Sequence, residues 1–279
     1  MISRSSKNNS SNTAFKYCFY RFNANHHAAI LSRRYLQSTK KLELVTQDKA
    51  HKGRPNPLFK VCPTHVITGQ SMYPPFPKGS EQIMFAMGCF WSSEKIFFEL
   101  KGVISTQVGY SGGFTPNPTY EEICSNLTGH TEVVRVVFDP KIISCADLLK
   151  LFWENHNPCQ GMQQVINPFQ KQHIYKTCKP KKKMLCNNSQ DLMTIAIYCY
   201  TDSQLEMAKV SKEEYQKVLS NKITTEIAPA QEIYYAEDMH QQFFYKNAQL
   251  KASCSMRGTG VQCPIPFRPK KNNVISICS

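Results

Sequence analysis

The sequence predicts an α+β protein, and three observations predict it. Runs rich in β-branched and aromatic residues, Ile83-Met84-Phe85-Ala86-Met87, Glu132–Phe138 and Ile195–Tyr200, read as strands. Apolar residues return at helical spacing after Ser144 (Leu148, Leu149, Phe152, Trp153) and after Asp202 (Leu205, Ala208, Tyr215, Val218, Leu219). The hydrophobic fraction of 41% is ordinary for a globular protein, and no apolar run is long enough to span a bilayer.

Taken in order, residues 1–42 carry Arg4, Lys7, Lys16, Arg21, Arg33, Arg34, Lys40 and Lys41 and no acid before Glu43. That is the composition of a mitochondrial transit peptide, so a mitochondrial address is expected, with a cytoplasmic protein bearing a basic tail as the alternative. Arg33-Arg34-Tyr35-Leu36 resembles a processing site. Residues 43–74 form a proline-rich arm, expected to be ordered but irregular. A catalytic domain is expected over 75–265. Val103–Gly109 and Ile223–Ile227 read as further strands, and Ile233-Tyr234-Tyr235 as a short one. Ser144 with Asp147 has the form of a capping box, and Asp202 or Ser203 is placed to cap the next helix. Residues 165–194 form a lysine-rich insert, and 266–279 a tail.

Gly88-Cys89-Phe90-Trp91 lies between the first strand and the helix-like Ser92–Leu100. Gly88 lets the chain turn, so Cys89 falls at a strand-to-helix junction. A thiol there faces the positive end of the helix dipole and unpaired backbone N–H groups, both of which favour thiolate. Phe90 and Trp91 add an aromatic wall. Taken alone, a cysteine beside aromatics is more often core packing than nucleophile. Tyr110–Tyr120 is dense in Gly and Pro, a poor core element and a good site wall that ends in Tyr120. Glu132 opens the most β-branched run of the chain; a carboxylate at the mouth of so apolar a strand is partly desolvated, which favours its neutral acid form. Cys254 and Cys263 are joined by a link with two glycines, expected to be flexible enough to carry a thiol to a distant partner.

The formal net charge of +14 raises the question of nucleic acid, but no nucleic-acid-binding motif accompanies it and no such partner is expected. The twelve cysteines show no Cys-x-x-Cys pairs or Cys/His clusters of zinc-site form, so no metal is expected. With no secretory signal segment, reduced or reactive thiols are expected rather than a stapled extracellular fold.

The motifs together resemble the A-type peptide methionine sulfoxide reductases. They are Phe85-Ala86-Met87-Gly88-Cys89-Phe90-Trp91, Thr106–Gly113, Asn117-Pro118-Thr119-Tyr120, Thr128–Val134, Phe152–His156, Tyr234–Gln242 and Gly258–Pro264. The resemblance implies a two-layer sandwich with a mixed sheet and a ferredoxin-like core. It also implies reduction of methionine-(S)-sulfoxide, free or in proteins. Cys89 matches the nucleophile, Glu132 the acid that protonates the sulfoxide oxygen, Tyr120 a hydrogen-bond donor to that oxygen, and Phe90 and Trp91 the pocket for the methyl group. Cys254 and Cys263 match the thiols that carry the oxidation outward as a disulfide. The implied reductant is thioredoxin or another dithiol, with no organic cofactor, and a monomer with no membrane partner is expected.

The chain departs from the family where members carry a Gly-Asn-Asp-x-Gly-Thr-Gln-Tyr-Arg-Ser run. Here the connection is about twenty residues longer, a length that loop-closure entropy tolerates. If the run aligns with Cys186–Thr194, its Asp is Asn188 and its Tyr is Met193. A second departure replaces an aromatic beside the first tail cysteine, in Ala252-Ser253-Cys254-Ser255. Two alternatives follow: a divergent member of low activity that binds methionine sulfoxide, and a thiol hydrolase or acyl-transferase pairing Cys89 with His130 or His240.

Overall fold

The computed structural model describes residues 45–161, 163–165, 190–192, 194–250, 256 and 258–265. The strands are β1 (Glu81–Ala86), β2 (Val103–Ser111), β3 (Thr131–Phe138), β4 (Gln163–Val165), β5 (Gln190–Leu192), β6 (Ala196–Cys199), β7 (Glu226–Pro229) and β8 (Tyr234–Tyr235). The helices are α1 (Phe90–Phe98), α2 (Tyr120–Ile123), α3 (Cys145–Asn155), α4 (Asp202–Gln216) and α5 (Phe243–Lys246). Six strands form one sheet in the order β7-β6-β1-β3-β2-β8, and β4 pairs with β5 apart from it. Every pairing in the six-stranded sheet is antiparallel except β6 with β7, so the sheet is mixed as expected. Its centre, β1-α1-β2-β3-α3-β6 in chain order with strand order β6-β1-β3-β2, is the ferredoxin-like arrangement.

The strands alternate sides as the pleat requires. Ile83, Phe85, Val134, Val136, Val108 and Tyr110 face the helices and build the main core. Met84, Ala86, Val133, Ala196 and Tyr198 form a smaller cluster on the other face. Phe85 ties the layers together: its ring lies 5.0 Å from Phe97 on α1 and 5.4 Å from Phe152 on α3. A fully buried Phe of this kind contributes about 2–3 kcal/mol through lost apolar surface. The helix α3 begins at the capping box read from the sequence: Ser144 Oγ accepts from Asp147 N at 3.2 Å and Asp147 Oδ2 accepts from Ser144 N at 2.9 Å. It packs on α4 through Trp153, whose Nε1 donates to Ser211 Oγ at 2.9 Å.

Two local expectations change. The cap of α4 is Thr201, whose side chain accepts from Gln204 N at 3.2 Å, rather than Asp202 or Ser203. The strand expected over Ile223–Ile227 lies at Glu226–Pro229, where its edge pairs in parallel with β6.

The arm is irregular but held at many points. Thr64 and Ser71 form an isolated bridge, Ser71 O accepts from Ser105 Oγ at 2.9 Å, and Met72 O accepts from Tyr235 OH at 2.8 Å. Just beyond its end, the Phe76 ring lies over the guanidinium of buried Arg135, 5.1 Å away. Arm and sheet belong to one compact unit that begins at Leu44.

Candidate active site

Gly88, with φ of 90°, turns the chain out of β1. Cys89 then caps α1 from outside the helix (φ −51°, ψ 113°), and its carbonyl accepts from Ser92 N and Ser93 N, each at 3.2 Å. The thiol therefore stands at the start of a nine-residue helix, where backbone N–H groups and the dipole favour a negative sulfur. It is half-buried, within reach of solvent rather than sealed in hydrocarbon.

Glu132 sits near the start of β3, opposite Tyr110, and is 4% exposed. Its Oε2 accepts from Phe90 N at 2.9 Å. That N–H is one of the donors a helix start leaves without an intrahelical partner, so the carboxyl is fixed over the first turn, one residue from the thiol. Tyr120 opens α2, directly after its capping residue Thr119. Its backbone N donates to Glu237 Oε1 at 2.9 Å, and its ring lies 4.7 Å from the His240 imidazole.

The aromatic wall is present. Phe90 is buried, 5.9 Å from Tyr110 and 5.3 Å from His240, while half-buried Trp91 stacks on Phe243 at 4.0 Å. Trp91 Nε1 donates to His240 Nδ1 at 3.0 Å. That bond places the imidazole proton on Nε2, which has no hydrogen-bond partner among the described residues and lies 3.7 Å from Glu237 Oε2. Burial pushes His240 down to about 4, so the ring is neutral near pH 7. Glu237 also accepts from Tyr110 OH at 3.0 Å. One carboxylate thus joins Tyr110 and Tyr120 and lies beside His240.

In the sequence Glu237 is one residue of a motif with no role of its own, and His240 is a candidate only as a hydrolase base. Its neighbours in the fold are distant in the chain, so no local pattern marks it. His130, the other candidate base, has both nitrogens committed to backbone: Nδ1 accepts from Gly113 N at 3.0 Å and Nε2 lies 2.8 Å from Thr115 O. Burial lowers its pKa as well. With His240 Nδ1 taken up by Trp91, the Cys–His hydrolase reading has lost its geometric support.

Cys263 is 2% exposed, its backbone N donates to Glu154 Oε1 at 2.9 Å, and burial pushes its thiol pKa up. The link before it was expected to be flexible; residues 258–262 are instead held against α3 and α4. Tyr215 OH lies 2.9 Å from Thr259 Oγ1 and donates to Val261 O at 2.8 Å. Gly258 is required there by contact, since a Cβ would stand 1.8 Å from Glu154 O. Cys254, Asn188 and Met193 lie outside the described residues, as does most of the insert. Among the described residues no group of three or more His, Cys, Asp or Glu could hold a metal ion.

Known proteins match this chain in sequence and in fold. The family model described as peptide methionine sulfoxide reductase matches residues 81–190 and 173–263. The peptide methionine sulfoxide reductase MsrA 2 of Nostoc sp. is 45% identical over 230 residues, covering 81% of this chain and 93% of its own. The mitochondrial peptide methionine sulfoxide reductase of Bos taurus is also 45% identical over 230 residues, covering 81% and 88%. Among solved structures, methionine sulfoxide reductase A of Corynebacterium diphtheriae aligns with TM-score 0.60 and 34% identity over 81% of this chain and all of its own.

Proposed function

The chain belongs to the peptide methionine sulfoxide reductase family, and from that premise we propose how its residues reduce methionine-(S)-sulfoxide. The single observation that carries the assignment of roles is the 2.9 Å bond from Phe90 N to Glu132 Oε2, which sets a buried carboxyl beside the thiol that caps the same helix. Sulfoxide oxygen is a poor leaving group until protonated, so a nucleophile needs an acid close to it. Cys89 attacks the sulfoxide sulfur while Glu132 gives a proton to the oxygen and Tyr120 hydrogen-bonds it. The thioether leaves as methionine, reduced by two electrons, and Cys89 is left as sulfenic acid. Phe90 and Trp91 offer the apolar surface for the methyl group.

Cys254 then condenses with the sulfenic acid, forming a disulfide and releasing water. Exchange with Cys263 moves the disulfide to the tail and frees Cys89. Because Cys263 is buried, this step requires the segment over α3 and α4 to lift. An external dithiol, in the cell thioredoxin, reduces the tail disulfide; no organic cofactor or metal takes part. For residues 1–42 we infer mitochondrial import, and Edman sequencing of the mature protein from purified organelles tests it, an intact Met1 refuting it.

The chemistry is tested with resolved sulfoxide epimers in a thioredoxin-coupled assay. Cys89→Ser abolishes turnover. Cys254→Ser releases one methionine per enzyme and then stalls with thioredoxin. Repeated turnover by Cys89→Ser would end the scheme, and equal reduction of both epimers would end the stereochemical assignment.

A further inference from the structure

Tyr120 stands at the end of a loop with little apolar anchorage. Gly112 and Gly113, Pro116 and Pro118 supply no large side chain, and Phe114 is 47% exposed. Asn117 adopts a left-handed backbone (φ 47°) in its middle. Such a segment is held by polar ties: Gly113, Phe114 and Thr115 are tied to Thr128 and His130, while apart from Glu237 the stretch from Pro116 to Glu122 is tied to the arm. Arg54 Nη1 donates to Asn117 O at 2.6 Å and to Glu122 Oε2 at 2.9 Å, and Nη2 donates to Glu122 Oε1. The backbone repeats the join: Arg54 N donates to Pro116 O at 3.0 Å and Asn117 Nδ2 donates to Arg54 O at 2.9 Å. Next to it, Thr115 Oγ1 donates to His51 O at 2.9 Å. Gly53 permits the approach, since a Cβ there would meet Pro116 O at 2.3 Å.

Glu122 closes the geometry. The carboxylate that receives the guanidinium also accepts from Thr119 N at 2.9 Å, completing the capping box that starts α2 at Tyr120. A planar guanidinium reaches both carboxylate oxygens and a carbonyl at once, which an ammonium cannot. The turn that presents Tyr120 is therefore gripped by Glu237 at one point and by Arg54 at two, and Arg54 lies before residue 81, where the family match begins.

We propose that Arg54 is a positioning residue for sulfoxide reduction, acting through the Asn117–Glu122 turn to set the Tyr120 hydroxyl. This rests on the role given to Tyr120 above. Misplacing a reacting group by about an ångström costs up to about a hundredfold in rate, so partial release of one clamp should cost about tenfold.

The test is a double-mutant cycle on the full chain, with dithiothreitol as reductant, reading kcat and KM separately. Arg54→Ala is expected to lower kcat about tenfold with KM changed less than about threefold, and Arg54→Lys to recover only part of the loss. In a Tyr120→Phe background, Arg54→Ala should lower kcat less than about twofold further, because the group it positions is already gone. A merely structural role would give the same fold loss in both backgrounds. Either that additivity, or a kcat for Arg54→Ala within about twofold of the parent, overturns the proposal. Should Arg54→Ala not fold, Arg54→Lys carries the cycle by the same criterion. Full kcat in Tyr120→Phe alone would instead refute the role of Tyr120.

Discussion

Glu94 is the most telling perturbation because its environment sets both a sign and a size. The carboxyl projects from α1 into full burial. Its Oε1 accepts from Thr106 Oγ1 and from Gln242 Nε2, each at 2.9 Å, while Oε2 has no hydrogen-bond partner among the described residues. Burial, partly offset by those two hydrogen bonds, raises its pKa from 4.5 to about 7. The folded protein therefore holds a proton that the unfolded chain releases, and stability falls as pH rises through that window. At about 1.4 kcal/mol per pH unit, the interval is worth about 3 kcal/mol.

Glu94→Gln keeps an acceptor for Thr106 and Gln242 but cannot ionise. Its amide nitrogen replaces the unpaired oxygen, at a cost of about 1 kcal/mol that does not vary with pH. Urea unfolding of both proteins at intervals from pH 4 to 8 isolates the titration. The stability difference should swing by about 3 kcal/mol in favour of the variant as pH rises. Groups common to both proteins cancel in that difference. Among them are His65, His156 and His240, which burial pushes down to about 4 and which destabilise the fold as pH falls below 6.5. Stability curves that stay parallel across the range would refute the reasoning.

Gly258→Ala forces a Cβ against Glu154 O, so residues 258–262 should lift from α3 and α4. Alkylation of Cys263 by iodoacetamide should then accelerate at least about tenfold, since a buried thiol becomes an accessible one. Ser144→Ala removes the acceptor that caps α3 and should cost about 1 kcal/mol in urea unfolding, with kcat unchanged.

What was legible in the sequence is what local rules govern. An apolar run, a glycine and a helical pattern, all within twenty residues, put Cys89 at a strand-to-helix junction, and it caps α1. Ser144 and Asp147 are three apart, so their capping box could be read directly. Thr201, Asp202 and Ser203 are all competent caps, and only the approach of the Gln204 backbone selects the first. Contacts between distant segments were not legible. Gln241 reads in the motif as a solvent-facing amide, yet its side chain donates to Val108 O and accepts from Val108 N, continuing the hydrogen bonding of β2 with an amide in place of a strand. Glu94, His65 and Thr106 form another such set, with His65 Nε2 lying 2.9 Å from Thr106 Oγ1.

The way the arm is stitched down bears on where a working fragment can be cut. Trimming at residue 80 would retain every side chain assigned to the chemistry. It would also strip Phe76 from Arg135, His65 from Thr106 and the Arg54 grip from the Tyr120 turn. The buried guanidinium would keep only the Tyr235 ring and the Thr106 hydroxyl would lose its imidazole, so the shortest autonomous piece of this enzyme begins well upstream of residue 81, where the family match starts, near residue 45.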